Sequence, residues 1–167
     1  MAILDILQYP DSRLNTPAQR VEKIDAATRK LIEDMAETMY AAPGVGLAAT
    51  QVDVHKQIVI IDVSDDRSDL RVFVNPEITR REGVAVNQEG CLSVPGIYDN
   101  VERAESVTVT ALDRNGARFT LNASGMLAAC IQHEMDHLQG KVFIDYLSEL
   151  KQNRVRTKLK KRQRKAA

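Results

Sequence analysis

The chain has no tryptophan, and aromatic residues make up only 4% of its 167 positions. Aliphatic side chains must therefore fill the core. Two cysteines, Cys91 and Cys130, are too few for the disulfide framework of a small secreted protein. They point to a reducing, cytoplasmic compartment, where a thiolate meets a metal more readily than a second thiol. No apolar run approaches the roughly 20 residues that a spanning helix needs, so no membrane partner is expected. The opening MAILDILQYPDSRL carries an early acid and no basic stretch before its short apolar run, which makes it a poor signal peptide. Net charge is also absent, since 23 Lys and Arg balance 23 Asp and Glu. That balance conceals an asymmetry. Nine of the bases and none of the acids lie in KQNRVRTKLKKRQRKAA (151–167), which leaves 14 bases against 23 acids in residues 1–150. A basic tail on an acidic body suits a polyanionic partner. It has no aromatic on which a base could stack, so neither sequence-specific RNA binding nor a DNA partner is expected.

What is present reads as one catalytic domain over residues 1–150 followed by a basic helix or tail over 151–167. Hydrophobic content of 44% and charged content of 28% are ordinary for a soluble domain of this length. Leu31, Ile32, Met35, Ala36 and Met39 recur at helical spacing between Asp25, a plausible N-cap, and a stop at Ala41-Ala42-Pro43-Gly44. Strands are expected at QIVIIDV (57–63) and at RVFVNPEI (71–78), the latter interrupted by Pro76. SVTVTAL (106–112) and ARFTLNA (117–123) flank Asn115-Gly116, a strong hairpin signal because both residues tolerate positive φ. A second helix is expected from about Gly125 to Gln139, with Met126, Leu127, Cys130, Ile131 and Leu138 as its apolar stripe and Gly140 as its stop. Ser148 could cap a last helix carrying Leu150, Val155 and Leu159. The expected class is α+β: a mostly antiparallel sheet packed around a central helix bearing HExxH, with N-terminal and C-terminal helices.

That central motif is His133-Glu134-Met135-Asp136-His137. At 100° per residue the two histidines lie about 40° apart and roughly 6 Å along the axis, so both imidazoles can meet one ion. Glu134 flanks the ion without ligating it, where a general base for an activated water belongs. A third ligand is needed. The extended pattern HExxHxxGxxH has Gly140 in place, but Phe143 stands at its last position; His55, Asp145 and Glu149 are the other His and acid choices. Cys130 shares the helix face yet sits about 7.5 Å from the level of the ion. A cysteine reaches only roughly 3.5 Å from its β-carbon, so Cys130 reads as a wall residue. Cys91 lies on another segment and can approach from outside the helix. A Cys-His-His set leaves one tetrahedral position open, a catalytic rather than a structural count.

Two further segments complete a pattern. GVGLAATQ (44–51) contains GxGxxA, but a helix precedes it, and a dinucleotide fingerprint needs a strand there. It reads better as a glycine loop that brings backbone close to a ligand, followed by the hydrogen-bonding Gln51. Taken in order, GVGLAATQ, EGCLS (89–93) and QHEMDH (132–137) resemble the peptide deformylase family, over most of the chain. The resemblance implies a hydrolase that removes the N-formyl group from formyl-methionyl nascent peptides and releases formate. It implies Cys91, His133 and His137 as metal ligands and Glu134 as the base. It implies the Gln51 amide and the Leu92 backbone N–H as oxyanion donors. Gly46 and Gly90 would bind an extended peptide. Val45, Leu127, Ala129 and Cys130 would surround the methionine side chain, and Glu89 with Arg103 would form a supporting ion pair. Some members carry Arg near Tyr98, where this chain departs. The implied cofactor is one divalent ion, Fe2+ in the cell, with Zn2+ or Ni2+ in preparations; one thiolate and two imidazoles suit iron and zinc alike. Members with a basic C-terminal helix resemble those that dock on the ribosome, where RNA supplies phosphate. Two other functions compete: a peptidase cutting internal bonds, and a binding module with a structural metal site.

Overall fold

Asp25 starts the first helix. In the computed structural model, which describes residues 2–166, its carboxylate accepts the Thr28 N–H at 2.9 Å and caps α1 (Ala26–Ala41). The chain then lays down β1 (Gly46–Ala48), β2 (Ile58–Ile61) and β3 (Arg71–Glu82). A hairpin follows, made of β4 (Ala85–Cys91) and β5 (Val94–Arg103). Strands β6 (Ser106–Leu112) and β7 (Arg118–Ser124) flank the Asn115-Gly116 turn, where Gly116 takes φ 85°. Two helices close the chain: α2 (Gly125–Leu138) and α3 (Glu149–Ala166).

All strand pairs are antiparallel, in two separate sheets. Five strands run β1-β2-β3-β6-β7, while β4 and β5 pair only with each other. This is the α+β class that the strand and helix signals indicated. Strand β2, Ile58-Val59-Ile60-Ile61, is buried along its whole length because helices cover both faces of the large sheet. On one face Ile58 and Ile60 join Ile32, Met35 and Met39 of α1. On the other, Val59 and Ile61 join Phe73 with Ala128, Ile131 and Leu138 of α2. Strand alternation makes that division. Each fully buried aliphatic side chain there contributes about 1.5–3 kcal/mol. A third apolar cluster joins Val94, Ile97 and Val101 of β5 to Phe143, Ile144, Val155 and Leu159, and so seats α3 on the small sheet.

Some local expectations change. The interruption expected at Pro76 is a register shift between Val74 and Glu77, and β3 runs past the expected end at residue 78 to Glu82. Asn75 takes φ 50° there, and its side chain bonds the Val21 N–H and C=O at 2.8 Å each, so a tertiary contact absorbs the irregularity. Met126 and Leu150 were placed on apolar stripes, yet both are exposed. Each lies about 140° around its helix from a core residue, Ile131 and Val155 respectively.

Candidate metal centre and substrate cleft

The HEMDH helix is α2, and its stripe of Ala128, Ile131 and Leu138 fixes its rotation against the large sheet. That rotation turns His133 and His137 toward the small sheet, with ring centroids 5.1 Å apart. Cys91, the last residue of β4, brings its Sγ to 3.4 Å from His137 Nε2. Ligand atoms of Cys91, His133 and His137 all lie within 4.8 Å of one another, the one such group among the described residues. The other third-ligand choices sit elsewhere. His55 faces Asp53 at 3.1 Å, Asp145 accepts the Val142 N–H at 3.0 Å, and Glu149 begins α3. Phe143 is buried with its ring 6.1 Å from that of His133. It therefore packs against a histidine at the position where the extended pattern would supply one.

The small sheet also orients the histidines. Glu89 Oε1 accepts from His133 Nδ1 at 2.8 Å, which leaves the Nε2 lone pair for a ligand. Arg103 donates to both Glu89 oxygens, Nε at 2.7 Å and Nη2 at 2.8 Å, and its Nη1 donates to Asp136 Oδ2 at 2.7 Å. Burial alone would raise the Glu89 carboxyl, but the Arg103 and His133 hydrogen bonds outweigh it and hold Glu89 below the usual carboxylate range. Burial, with the neighbouring cations, keeps His137 well below the ordinary histidine value, hence neutral, the form that ligates. Burial works against charge on His133 too, but the Glu134 and Glu89 carboxylates and the Cys91 sulfur beside it overcome this and favour positive charge. Such a surround would accept a divalent ion in place of a proton. His137 Nδ1 and Glu134 Oε1 are buried without a hydrogen-bond partner among the described residues, and Glu134 Oε1 lies 4.0 Å from His137 Nε2. A cysteine sulfur, two imidazole nitrogens and an unpartnered carboxylate oxygen fit an ion with an adjacent open position. Burial pushes Glu134 up to about 7.

Gln51 sits on a 3₁₀ turn (Ala49–Val52) directly after β1. Its Oε1 accepts the Ala48 N–H at 3.0 Å, which fixes the amide so that Nε2 points at Ser93 Oγ, 3.0 Å, and Cys91 Sγ, 3.6 Å. Leu92 is the first residue of the two-residue turn that joins β4 to β5. Gly46 is required by close approach, since a side chain there would run into the buried Glu134 carboxylate; one at 90 would meet the Tyr98 ring, which is exposed. The loop before Gly46 is propped from behind. Asp62 N–H donates to Val45 O at 2.8 Å, Tyr40 OH to Asp62 at 2.6 Å, and Arg67 to Gly44 O.

A cleft of about 890 Å³ opens over the group. Val45, Gly46, Gly90, Ala129 and Cys130 line it, as do Gln51, Glu89, Cys91, Leu92, His133 and Glu134. Leu127 does not: it shares the Ile131 face and packs toward the large sheet. Met126, Ile97 and Tyr98 line the cleft in addition. The sequence reading places Met126 on the apolar stripe, and nothing local marks Ile97. Burial pushes the Cys130 thiol up to about 12, so it remains a neutral wall group.

Residues 3–153 match the model of the family described as polypeptide deformylase. Peptide deformylase 1 of Burkholderia multivorans is 61% identical over 165 residues, covering 98% of this chain and 91% of that protein. Peptide deformylase of Neisseria meningitidis is 60% identical over 164 residues, 98% of each. Among solved structures, a peptide deformylase from Legionella pneumophila is 51% identical with a TM-score of 0.94, covering 98% of this chain and 96% of that one. The Ehrlichia chaffeensis peptide deformylase in complex with actinonin is 42% identical with a TM-score of 0.95, covering 98% and 99%.

Proposed function

The chain belongs to the polypeptide deformylase family, and we propose that Cys91, His133 and His137 hold the divalent ion of this hydrolase while Glu134 moves the proton. Its reaction removes the N-formyl group from newly made peptides: water adds to the formyl carbon, the C–N bond breaks, and formate and a free amine leave. The observation that carries the residue assignment is the convergence of those three ligand atoms within 4.8 Å beside an unpartnered carboxylate. When bound, the ion supplies a Lewis acid that lowers the pKa of water and polarises the formyl carbonyl. Glu134 takes the proton from the attacking water and returns it to the leaving amine nitrogen. Gln51 Nε2, held by the Oε1 bond to Ala48, and the Leu92 N–H donate to the developing oxyanion; each such donor contributes about 3–4 kcal/mol to the barrier reduction. Gly46 lies on an edge strand of the large sheet and Gly90 on β4, which pairs on one side only. Both backbones can therefore hydrogen-bond an extended peptide laid between them. Val45, Ala129, Cys130 and Met126 surround the methionine side chain, and Leu127 supports that wall from the sheet side.

The test is formate release from a formyl-methionyl peptide by protein purified without oxygen, with the acetyl-methionyl peptide alongside. Rapid release from the first, near inertness toward the second, and a Glu134→Gln variant that keeps its metal but loses turnover are the expected results. Turnover retained in that variant would refute the base assignment. We assign Fe2+ as the ion in the cell, with Zn2+ and Ni2+ forms expected in preparations. Metal analysis of the anaerobic protein, and loss of activity in air from the iron form only, test this.

We take residues 1–150 as the catalytic unit and 151–167 as a basic appendage that docks on ribosomal RNA, which places the enzyme in the cytoplasm. The family match stops at 153, within α3. Val155 and Leu159 seat the helix on β5, while Arg154, Lys158, Lys160, Lys161 and Arg164 are exposed. Arg154, Lys158 and Lys161 replaced by Glu should abolish salt-sensitive cosedimentation with ribosomes and spare hydrolysis of short peptides. Unchanged cosedimentation would sink the docking.

A further inference from the structure

The Cys ligand comes from the small sheet and the two His ligands from a helix anchored on the large one. Something must hold these two bodies in register at ångström precision, because Cys91 Sγ and the imidazoles converge from opposite sides. The Glu89–Arg103 pair spans β4 and β5 and reaches α2 through one bond, from His133 Nδ1 to Glu89. Asp136 adds a second and direct tie from the guanidinium to α2, through its 2.7 Å bond from Arg103 Nη1. Asp136 is itself held by a residue outside every motif in the sequence. Tyr146, at the end of the 3₁₀ turn Phe143–Tyr146, donates its O–H to Asp136 Oδ2 at 2.8 Å. Its ring also lies under the Arg103 guanidinium, 5.0 Å from centroid to Cζ. One side chain thus binds both partners of the Arg103–Asp136 bridge, one by hydrogen bond and one by its π-face.

We propose that Tyr146 is a positioning residue for the metal centre, acting through Asp136, Arg103 and Glu89 to fix the His133 imidazole against Cys91. The proposal rests on the metal reading of Cys91, His133 and His137. Three observations favour it over a packing role. Tyr146 is 49% exposed, so its ring adds little to the core. Its O–H bonds a carboxylate in place of water. The chain of contacts from it ends on Nδ1 of a ligand histidine, opposite the nitrogen left for the ion, with each link 2.8 Å or shorter along the hydrogen-bonded route. Groups that orient a metal-bound histidine directly are each worth about 10–100-fold in metal affinity. Tyr146 stands further back, so its removal should cost about 3–10-fold on that scale.

The experiment uses the full chain loaded with Co2+ and measures metal release into excess chelator, together with the cobalt ligand-field spectrum. Tyr146→Phe keeps the ring and loses the O–H; Tyr146→Ala loses both. Release should be about 3-fold faster in the first and up to about 10-fold faster in the second. The cobalt bands should shift, and the melting temperature of the metal-free protein should stay near that of the parent. Asp136→Asn should speed release too, and adding Tyr146→Phe to it should add almost nothing, since both lie on one route. Parent-like release and spectra in Tyr146→Ala would overturn the proposal, as would full additivity with Asp136→Asn. Parent protein that takes up no cobalt would overturn the metal reading along with it.

Discussion

Glu89→Gln probes the join between the two sheets most directly. Glu89 is 8% exposed and makes three hydrogen bonds through two oxygens: Oε1 serves His133 Nδ1 and Arg103 Nη2, and Oε2 serves Arg103 Nε. Glutamine has the same shape but one oxygen and one NH2. With its oxygen at the Oε1 position it keeps two bonds and sets a donor against Arg103 Nε. In the reverse orientation it keeps one bond and sets a donor against two. The first is favoured, so one charge-assisted bond is lost, about 1.5–3 kcal/mol. The pair's charge is lost as well. Breaking a buried ion pair costs about 3–5 kcal/mol, and Asp136, which still serves Arg103, puts this case at the low end, about 3 kcal/mol. In a chain of this size that amounts to a fall of about 6–12 °C in melting temperature. Urea unfolding of the metal-free protein reads the stability term. Chelator competition reads the ligand-orienting term, expected at about 10–100-fold in affinity. A loss below about 1 kcal/mol with unchanged metal affinity would show that the three bonds neither hold the sheets together nor orient His133.

Gly46→Ala drives a methyl into the Glu134 carboxylate, so formate release should fall at least about 10-fold while metal content holds; parent-like turnover would count against the base position. Asp62 is buried, and although burial alone would raise it, hydrogen bonds from Ser64 and Tyr40 hold it below the usual carboxylate range. Its stabilisation is therefore fully present above the unfolded value of about 3.9 and is lost as pH falls through the lower folded value. Asp62→Asn should cost about 1–3 kcal/mol at pH 7, and the gap to the parent should close below about pH 4; a gap that stays constant down to pH 3 would contradict the sign. Cys130, at about 12, carries about one thiolate in 10⁴ at pH 8. In a Cys91→Ser variant, iodoacetamide should label it about 10³-fold more slowly than an ordinary thiol, read by mass spectrometry; labelling at the ordinary rate would mean that the thiol is not desolvated.

Where the sequence was legible, one physical signal governed each element. Helix α1 followed its Asp25 cap and apolar spacing, and β6 and β7 followed Asn115-Gly116. The HEMDH spacing put two imidazoles on one helical face. The reach of a cysteine side chain removed Cys130 from the ligand set. Other signals carried less far: Asn75 absorbs the break at Pro76 through its contact with Val21, so β3 runs on to Glu82, and Met126, about 140° from Ile131, is cleft wall and not stripe. Strands β4 and β5 were not legible at all, and the reason lies in the site itself. Burial on these strands falls on Glu89, Val94, Ile97, Val101 and Arg103, so two of the inward positions are charged. An ion pair at inward positions erases the apolar alternation by which a strand is recognised. The same two charges orient His133 and tie Asp136 to the small sheet. The proposed metal centre would need polar groups where a strand ordinarily carries apolar ones, and the segment loses its strand signature for that reason. Tyr146 was hidden because its partners, Arg103 and Asp136, are 43 and 10 residues away and no local pattern links the three.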